Sequence, residues 1–504
     1  MSNITSYYFT EEHEMFRKSI KDFLQKEAAP FIDEWEEAGK IPREFWKKFG
    51  QMGYFGLNYP EEYGGSNLDF FYNVVMIEEI CKIFSGGFAI TAAVQVCMST
   101  PYIFKHGSEF LKQKYLTPAI AGDYVACIGI TEPGAGSDVQ NIQTRAIRNG
   151  DHYIINGAKT FITNGYYGNY IVLVCKTNPE AGAAGVSLIV VDLKSEGISR
   201  TKLKKLGWHS SDTAEIHFDD VKVPVENLLG EEGKGFYYLM GGLQTERLSG
   251  AIMGYSACES VLEYSLKYMS ERKAFGRTIN KFQVLRHRVA QLASEIEMCK
   301  SFVLQTCRMH EDGLYAVKES SMCKLIASEL ADKCMYQCLQ FFGGYGYMED
   351  FKIARGFRDS RIGTIGAGTS EIMREIIAKM VIDDVNYNRA ESSSGLSTPT
   401  KPQTVEEIFA TLPERFKKEK ATGKDLTVQF SFSTKKYTVD INNGNLTISE
   451  GLNGTPNCLV ETDDSTYVAV ENGQINPQEA FMTGKIKVSD IMSMMTFGGL
   501  FKRL

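Results

Sequence analysis

The sequence predicts a multidomain chain: a helical domain, a β domain, a second helical domain, then a linker and a small α+β unit. Three observations predict it. At 504 residues the chain is too long for one hydrophobic core. Helical periodicity up to residue 122 gives way near 124 to short β-branched runs, and returns at about Gly235. A Ser/Thr/Pro-rich stretch, "NRAESSSGLSTPTKPQ", then precedes a second set of helix and strand signals. The boundaries drawn on this basis are 1–123, 124–234, 235–386, a linker at 387–403, and 404–504.

Each element has its own signal. "TEEHEMFRKSIKDFLQKEAAPFIDEWEEAG" reads as an opening helix, with Thr10 as N-cap and a Glu at the capping-box position. "GFAITAAVQVCMSTPYIF" is the most apolar long stretch. Thr91, Gln95, Ser99 and Pro101 interrupt it, which predicts a buried core helix and not a membrane span. "NYIVLVCKT" and "GVSLIVVDL" are short β-branched strands, and "AEIHFDDVKVP" alternates as a half-buried strand does. Beyond the linker, "TVEEIFATLPERFKKEKATG" is an amphipathic helix. "LTVQFSFS", "KYTVDINNGNLTISEG" and "NCLVETDD" are strands, with Asn443-Gly444 as a hairpin signal. The end, "PQEAFMTGKIKVSDIMSMMTFGGLFKRL", reads as helical and Met-rich.

Composition excludes several function classes. Hydrophobic residues at 43% and charged ones at 23% are those of a soluble globular protein. A net charge of -7 disfavours nucleic acid as a partner, because phosphate binding needs a basic surface. The 11 cysteines are odd in number and form no CxxC pair. Cys334 and Cys338, one helical turn apart, read as free thiols in a reducing compartment. Seven histidines with no HExxH and no Cys/His cluster argue against a metal site. The start has no cationic region leading into an apolar one and is too acidic for a transit peptide. The terminal "KRL" differs from the peroxisomal SKL. The expected location is the cytoplasm, with the peroxisome second.

Five segments carry candidate chemistry. "ITEPGAGSDVQ" (130–140) is a Gly-rich turn whose backbone can approach a ligand closely. In "INGAKTFITNG" (155–165), Phe161 can cover a flat ring while Thr163 bonds its edge. In "SERKAFGRTINKFQ" (270–283), Arg272 and Arg277 flank Phe275, a set suited to phosphate and a stacked base. "QFFGGYGYMED" (340–350) is a second Gly-rich approach. "RIGTIGAGTSEIMREII" (361–377) is a Gly-rich loop opening a helix. Alone, each is ordinary packing or a surface turn.

In this order and spacing, residues 1–386 resemble the acyl-CoA dehydrogenase family. The resemblance implies an α-helical domain, a β-barrel domain and an α-helical bundle that bind FAD and oxidise acyl-CoA thioesters. It further implies that Ile128, Thr131, Phe161 and Thr163 contact the flavin. By the same resemblance Arg272, Phe275, Gln340 and Gly344 reach the FAD of a neighbouring subunit. Thr369 and Glu371 fall near the FAD diphosphate, at a helix N-terminus suited to an anion. Ser137 and Arg247 match positions lining the acyl-CoA side. Many family members carry their catalytic carboxylate where this chain has Ala367, whose N–H can still bond the thioester oxygen. Long-chain and isovaleryl members place a Glu on an earlier helix instead. "GGLQTERLSGAIMG" supplies Glu246 there, followed by Arg247, so Glu246 is the expected base.

Residues 404–504 resemble sterol-carrier-type lipid-transfer domains through "EEIFATLPERF", "TVDINNGNLTISEG" and "NPQEAFMTGKIKVSDIMSMM". Met482, Met492, Met494 and Met495 suit an adaptable apolar lining, or equally plain core packing. The combined expectation is oxidation of long-chain or branched acyl-CoA. An electron-transfer flavoprotein is the expected acceptor, a lipid or acyl ligand is expected in the second unit, and the assembly is a homotetramer or homodimer. An oxygen-using acyl-CoA oxidase and a non-catalytic lipid carrier are the rival readings.

Overall fold

The computed structural model describes residues 5–383, 385, 404–421, 423–472, 480–481 and 483–501. The expected linker, Met482, the side chain of Met495 and the terminal "KRL" lie outside the described residues. The chain divides into two compact units, Met1–Glu391 and Ser392–Leu504.

The first unit opens with the helix Glu11–Glu27, capped by Thr10. The capping partner is His13, three residues on, and not the expected Glu. Its Nδ1 accepts from Thr10 N at 3.0 Å, so Nε2 carries the proton and donates to Asp69 Oδ1, also at 3.0 Å. The expected single helix breaks at Pro30, into a short 3₁₀ turn and the helix Ile32–Ala38. Proline removes an N–H and crowds the preceding turn. The apolar stretch is a continuous helical rod, Gly86–His106, long and apolar enough to cross a membrane, but its most apolar 18 residues are 89% buried inside the protein. Its middle, Val94–Ser99, is π-helical. The Gln95 side chain ties that segment to Ala119 O, Tyr124 O and Ala126 N.

A seven-stranded sheet follows: β1 (Ala126–Gly129), β2 (Arg145–Asn149), β3 (His152–Thr163), β4 (Tyr170–Lys176), β5 (Val186–Asp192), β6 (Ile198–Lys202) and β7 (Thr213–Pro224). The order is β1-β4-β2-β3-β7-β6, with β5 paired to β4. β4 and β5 are buried through their first six residues, as their continuous apolar runs demand. The helix Gly235–Glu271 comes next. A two-residue hairpin of β8 (Lys273–Ala274) and β9 (Arg277–Thr278) joins it to the helices Gln283–Glu311 and Val317–Phe342. The helices Gly235–Glu271 and Val317–Phe342 pack closely, because Gly254 faces Ala327 where a Cβ would stand 3.0 Å away. The helices Lys352–Ser360 and Ser370–Val381 complete the unit.

The second unit holds a five-stranded sheet ordered β12-β11-β10-β13-β14. The strands are β10 (Asp425–Ser431), β11 (Lys436–Asn442), β12 (Asn445–Glu450), β13 (Cys458–Thr462) and β14 (Ile486–Val488). Asn443 (φ 45°) and Gly444 (φ 83°) make the tight left-handed turn that the sequence signalled. The helix Val405–Arg415 stops short of the expected run, because Phe416 pairs as a bridge with Phe501. β14 falls in the end segment read as helical. Beyond β14 the helix Ile491–Gly499 follows, and Ala480 and Phe481 before it are helical too. Phe409, Phe430, Phe432, Tyr437, Tyr467 and Phe497 fill the core, and Met494 packs against it while Met492 is exposed.

Candidate active site

Glu246 sits on the helix Gly235–Glu271 and is 4% exposed. The Tyr102 hydroxyl, from the rod Gly86–His106, donates to its Oε1 at 3.1 Å. Burial pushes the carboxyl up to about 7, against the opposing pull of the Tyr102 hydroxyl and the Arg247 charge. A buried acid titrating near neutrality can both lose and take a proton at working pH. Gly242, one turn earlier, makes the space: a Cβ there would lie 2.1 Å from the Tyr102 oxygen.

Arg247 is buried, and its Nη1 lies 3.5 Å from Ser321 Oγ on the helix Val317–Phe342. One turn along that helix, the Lys324 ammonium donates to Gly368 O at 2.5 Å. Burial and Arg247 pull the Lys324 ammonium down to about 8. Ala367 (φ 53°) and Gly368 (φ 90°) are both left-handed, and a residue with a Cβ enters that region only under constraint. Thr369 caps the following helix, accepting from Ile372 N at 3.2 Å. Backbone and Thr369 hydrogen bonds hold the exposed Glu371 below the usual carboxylate range. Glu246, Arg247 and the Ala367–Thr369 turn are thus linked through one helix.

A second set gathers around β1 and β3. Ile128 lies in β1 and Thr131 just beyond it, where Thr131 O accepts from Thr160 N at 2.9 Å. The Lys159 ammonium, fully buried, reaches Ile130 O at 2.9 Å and Glu132 Oε1 at 2.8 Å. Glu132 also accepts from Gln143 N and Thr144 N. Burial alone would raise the Glu132 carboxyl; Lys159 and these donors hold it below its ordinary value. Phe161 sits in a register shift between Lys159 and Ile162, at φ 61°, and is 69% exposed. The bulge turns its ring out of the sheet beside the half-buried Thr163. Ser137 is exposed on the loop between β1 and β2, and no contact joins it to Glu246 among the described residues.

Arg272, Phe275, Gln340 and Gly344 line one groove of about 630 Å³, together with Tyr268 and Tyr345. Phe275 and Gly276 form the left-handed two-residue turn of the β8–β9 hairpin, and Phe275 is 94% exposed. The Arg272 guanidinium stands 5.7 Å from the centre of the Tyr345 ring. Around Gly343 and Gly344 the space is open, so backbone can approach a ligand. The groove contains none of Ile128, Thr131, Phe161, Thr163 or Glu246. An outward aromatic, a guanidinium and an open glycine cradle fit the nucleotide end of FAD. The projecting Phe161 beside Thr163 fits a flat ring.

Sequence reasoning missed Tyr102, Gly242, Lys324 and the Lys159–Glu132 pair. Their partners lie 144, 140, 44 and 27 residues away in the chain, so no local pattern names them.

The chain is similar to known proteins along most of its length. Residues 10–123, 127–221 and 233–382 match the family models for the acyl-CoA dehydrogenase N-terminal, middle and C-terminal domains. Residues 406–502 match the SCP-2 sterol transfer family. The long-chain specific acyl-CoA dehydrogenase of Rattus norvegicus is 40% identical over 379 residues, 75% of this chain and 88% of that one. A caffeyl-CoA reductase–Etf complex subunit of Acetobacterium woodii is 37% identical over 377 residues, 74% of this chain and 99% of that one. The crystal structure of an acyl-CoA dehydrogenase from Geobacillus kaustophilus superposes with a TM-score of 0.73 at 45% identity, covering 74% of this chain and 99% of that one. With three domains matched in order and relatives covered nearly end to end, the chain belongs to the acyl-CoA dehydrogenase family, with an SCP-2 domain at its C-terminal end.

Proposed function

We propose that the chain oxidises long-chain or branched acyl-CoA thioesters to trans-2-enoyl-CoA, with Glu246 as the base that removes the α-proton. Acyl-CoA dehydrogenases depend on FAD, which when bound accepts the hydride leaving the β-carbon. The observation that carries the assignment of the base is the state of Glu246: buried, hydrogen-bonded, and raised to about 7. Position 367, on the linked turn, offers only the methyl of alanine. Its backbone N–H is the donor assigned to the thioester oxygen, where negative charge grows as the α-proton leaves. Arg247 and Ser137 are assigned to the acyl-CoA side.

Ile128, Thr131, Phe161 and Thr163 are assigned to the flavin, and Thr369 and Glu371 to the diphosphate end. Arg272, Phe275, Gln340 and Gly344 would hold the nucleotide of a neighbouring subunit's FAD. The exposure of Phe275 at the hairpin tip supports an assembly of two or four chains. Electrons pass to an electron-transfer flavoprotein, a reading supported by the Etf-complex relative. The SCP-2 unit takes a lipid or acyl ligand and presents substrate, its tether raising the local concentration. Eleven free cysteines favour a reducing cytoplasm.

Anaerobic titration with a long-chain acyl-CoA, read by flavin absorbance, tests the central assignment. Wild type should bleach and Glu246→Gln should not. Bleaching in both would move the base elsewhere. Bleaching in neither, across chain lengths, would leave a binding role.

A further inference from the structure

A carboxylate that takes a proton from carbon must present one oxygen to it in a fixed direction. Glu246 is on a flexible side chain, so something outside its own helix must set that direction. Tyr102 is 3% exposed, and its hydroxyl lies 3.1 Å from Glu246 Oε1 and 3.4 Å from Leu239 O. A phenol has one proton to give, and the nearer, charged acceptor takes it. Burial and the Glu246 charge keep the phenol protonated well above its ordinary range, so it stays a donor.

The segment bearing Tyr102, Thr100–His106, is held against the long helix at two points. Tyr102 fills the slot left by Gly242. Four residues on, the His106 ring stacks on Tyr238 at 3.9 Å, and His106 O accepts from Gly230 N at 2.7 Å. At the other end, Thr100 Oγ1 donates to Gln95 O at 2.6 Å and pairs with the Tyr59 hydroxyl at 2.8 Å. Tyr102 therefore has little freedom, and neither has the oxygen it bonds.

Resting on the reading of Glu246 as base, we propose that Tyr102 is its positioning residue: it holds Oε1 and leaves Oε2 to take the α-proton. In that step the α C–H bond breaks and the Oε2–H bond forms. The electron pair left on the α-carbon becomes the new double bond as the β-hydride departs to the cofactor the family already uses. Among the described residues, Arg247 and Cys97 are the other titratable groups coupled to the carboxylate. Arg247 follows it on the same helix. The Cys97 thiol of the π-helical segment is pushed up to about 11 by burial and stays neutral. Lys324 stands near Arg247, and burial and that charge lower it. Tyr102 is thus the donor that favours the ionised form from a fixed direction.

The test is the pH profile of turnover for the flavin-loaded full chain carrying Tyr102→Phe, with Glu246→Gln beside it. We expect the acid limb of kcat to move up by about one pH unit, with KM for the acyl-CoA unchanged. Replacing Tyr102 with 3-fluorotyrosine keeps the shape, strengthens the donor, and should move the limb down. That variant decides the matter if Tyr102→Phe does not fold. An acid limb at its wild-type position in both variants, or a loss confined to KM, overturns the proposal. If Glu246→Gln still turns over, the reading of the base has failed instead, and the two failures are told apart.

Discussion

Replacing Glu246 by glutamine should stabilise the protein, and more so as the pH rises. The folded protein raises this carboxyl from its ordinary 4.5 to about 7, because burial disfavours the charge. Below pH 4.5 the group is neutral in both folded and unfolded chains and costs nothing. Between 4.5 and 7 the unfolded chain releases the proton while the folded one retains it. Above 7 the folded chain carries the full penalty, about 3 kcal/mol at 1.36 kcal/mol per pH unit. Glutamine keeps the shape, still accepts from Tyr102, and has no charge to bury. The stability gap between variant and wild type should therefore widen by about 2–3 kcal/mol from pH 5 to pH 8. For a unit spanning Met1–Glu391 the entropy of unfolding is about 0.8 kcal/mol/K. The gap then appears as a difference of about 3 °C in Tm. Differential scanning calorimetry of both proteins at the two pH values reads it, and every other titrating group cancels in the comparison. An equal gap at both pH values would mean that Glu246 reaches solvent. Glu246 would then not be a base tuned by burial.

Three further outcomes follow from the same structure. Lys159→Met leaves Glu132 buried without its cation and should cost about 3–5 kcal/mol in urea unfolding. Adding Glu132→Leu should recover only part of that, since the N–H groups of Gln143 and Thr144 then lose their acceptor. Gly242→Ala places a methyl in the Tyr102 slot and should cost about 1–3 kcal/mol. Measured turnover should fall with it, because Tyr102 must leave the carboxylate. Thr404→Ala removes the capping box shared with Glu407, and should cost about 1 kcal/mol in the second unit alone. Hydrogen exchange should show faster opening of Val405–Arg415 and an unchanged first unit.

What could be read beforehand was what is local. The Asn443-Gly444 hairpin needs two left-handed residues in a row, and those residue types supply them. The runs that became β4 and β5 are apolar on both faces, so their burial was written in order. Failures came where a distant contact overrode a local pattern. The bridge from Phe416 to Phe501 stops a helix that the amphipathic period would have carried on. β14 exists because β13 pairs with it, although its sequence sits in a helix-like run. His13 took the capping place because Asp69, far along the chain, holds its other nitrogen. The candidate site divides in the same way: Glu246 and Ala367 stand out in one dimension, and what surrounds them does not.

That division shows why holding a buried carboxylate is not a matter of one residue. A glutamate placed mid-helix on a bare helix would point at solvent or pair with a neighbour. Here the helix drops its side chain at Gly242, Tyr102 from another helix fills the gap, and its hydroxyl donates to the carboxylate. The Ala367–Thr369 turn has a left-handed Ala367 and Gly368, and the Lys324 ammonium donates to the Gly368 carbonyl. Ser321 and Lys324, one turn apart on a single helix, touch Arg247 and that turn respectively. The helix Val317–Phe342 therefore joins Arg247, the neighbour of Glu246, to the Ala367–Thr369 turn.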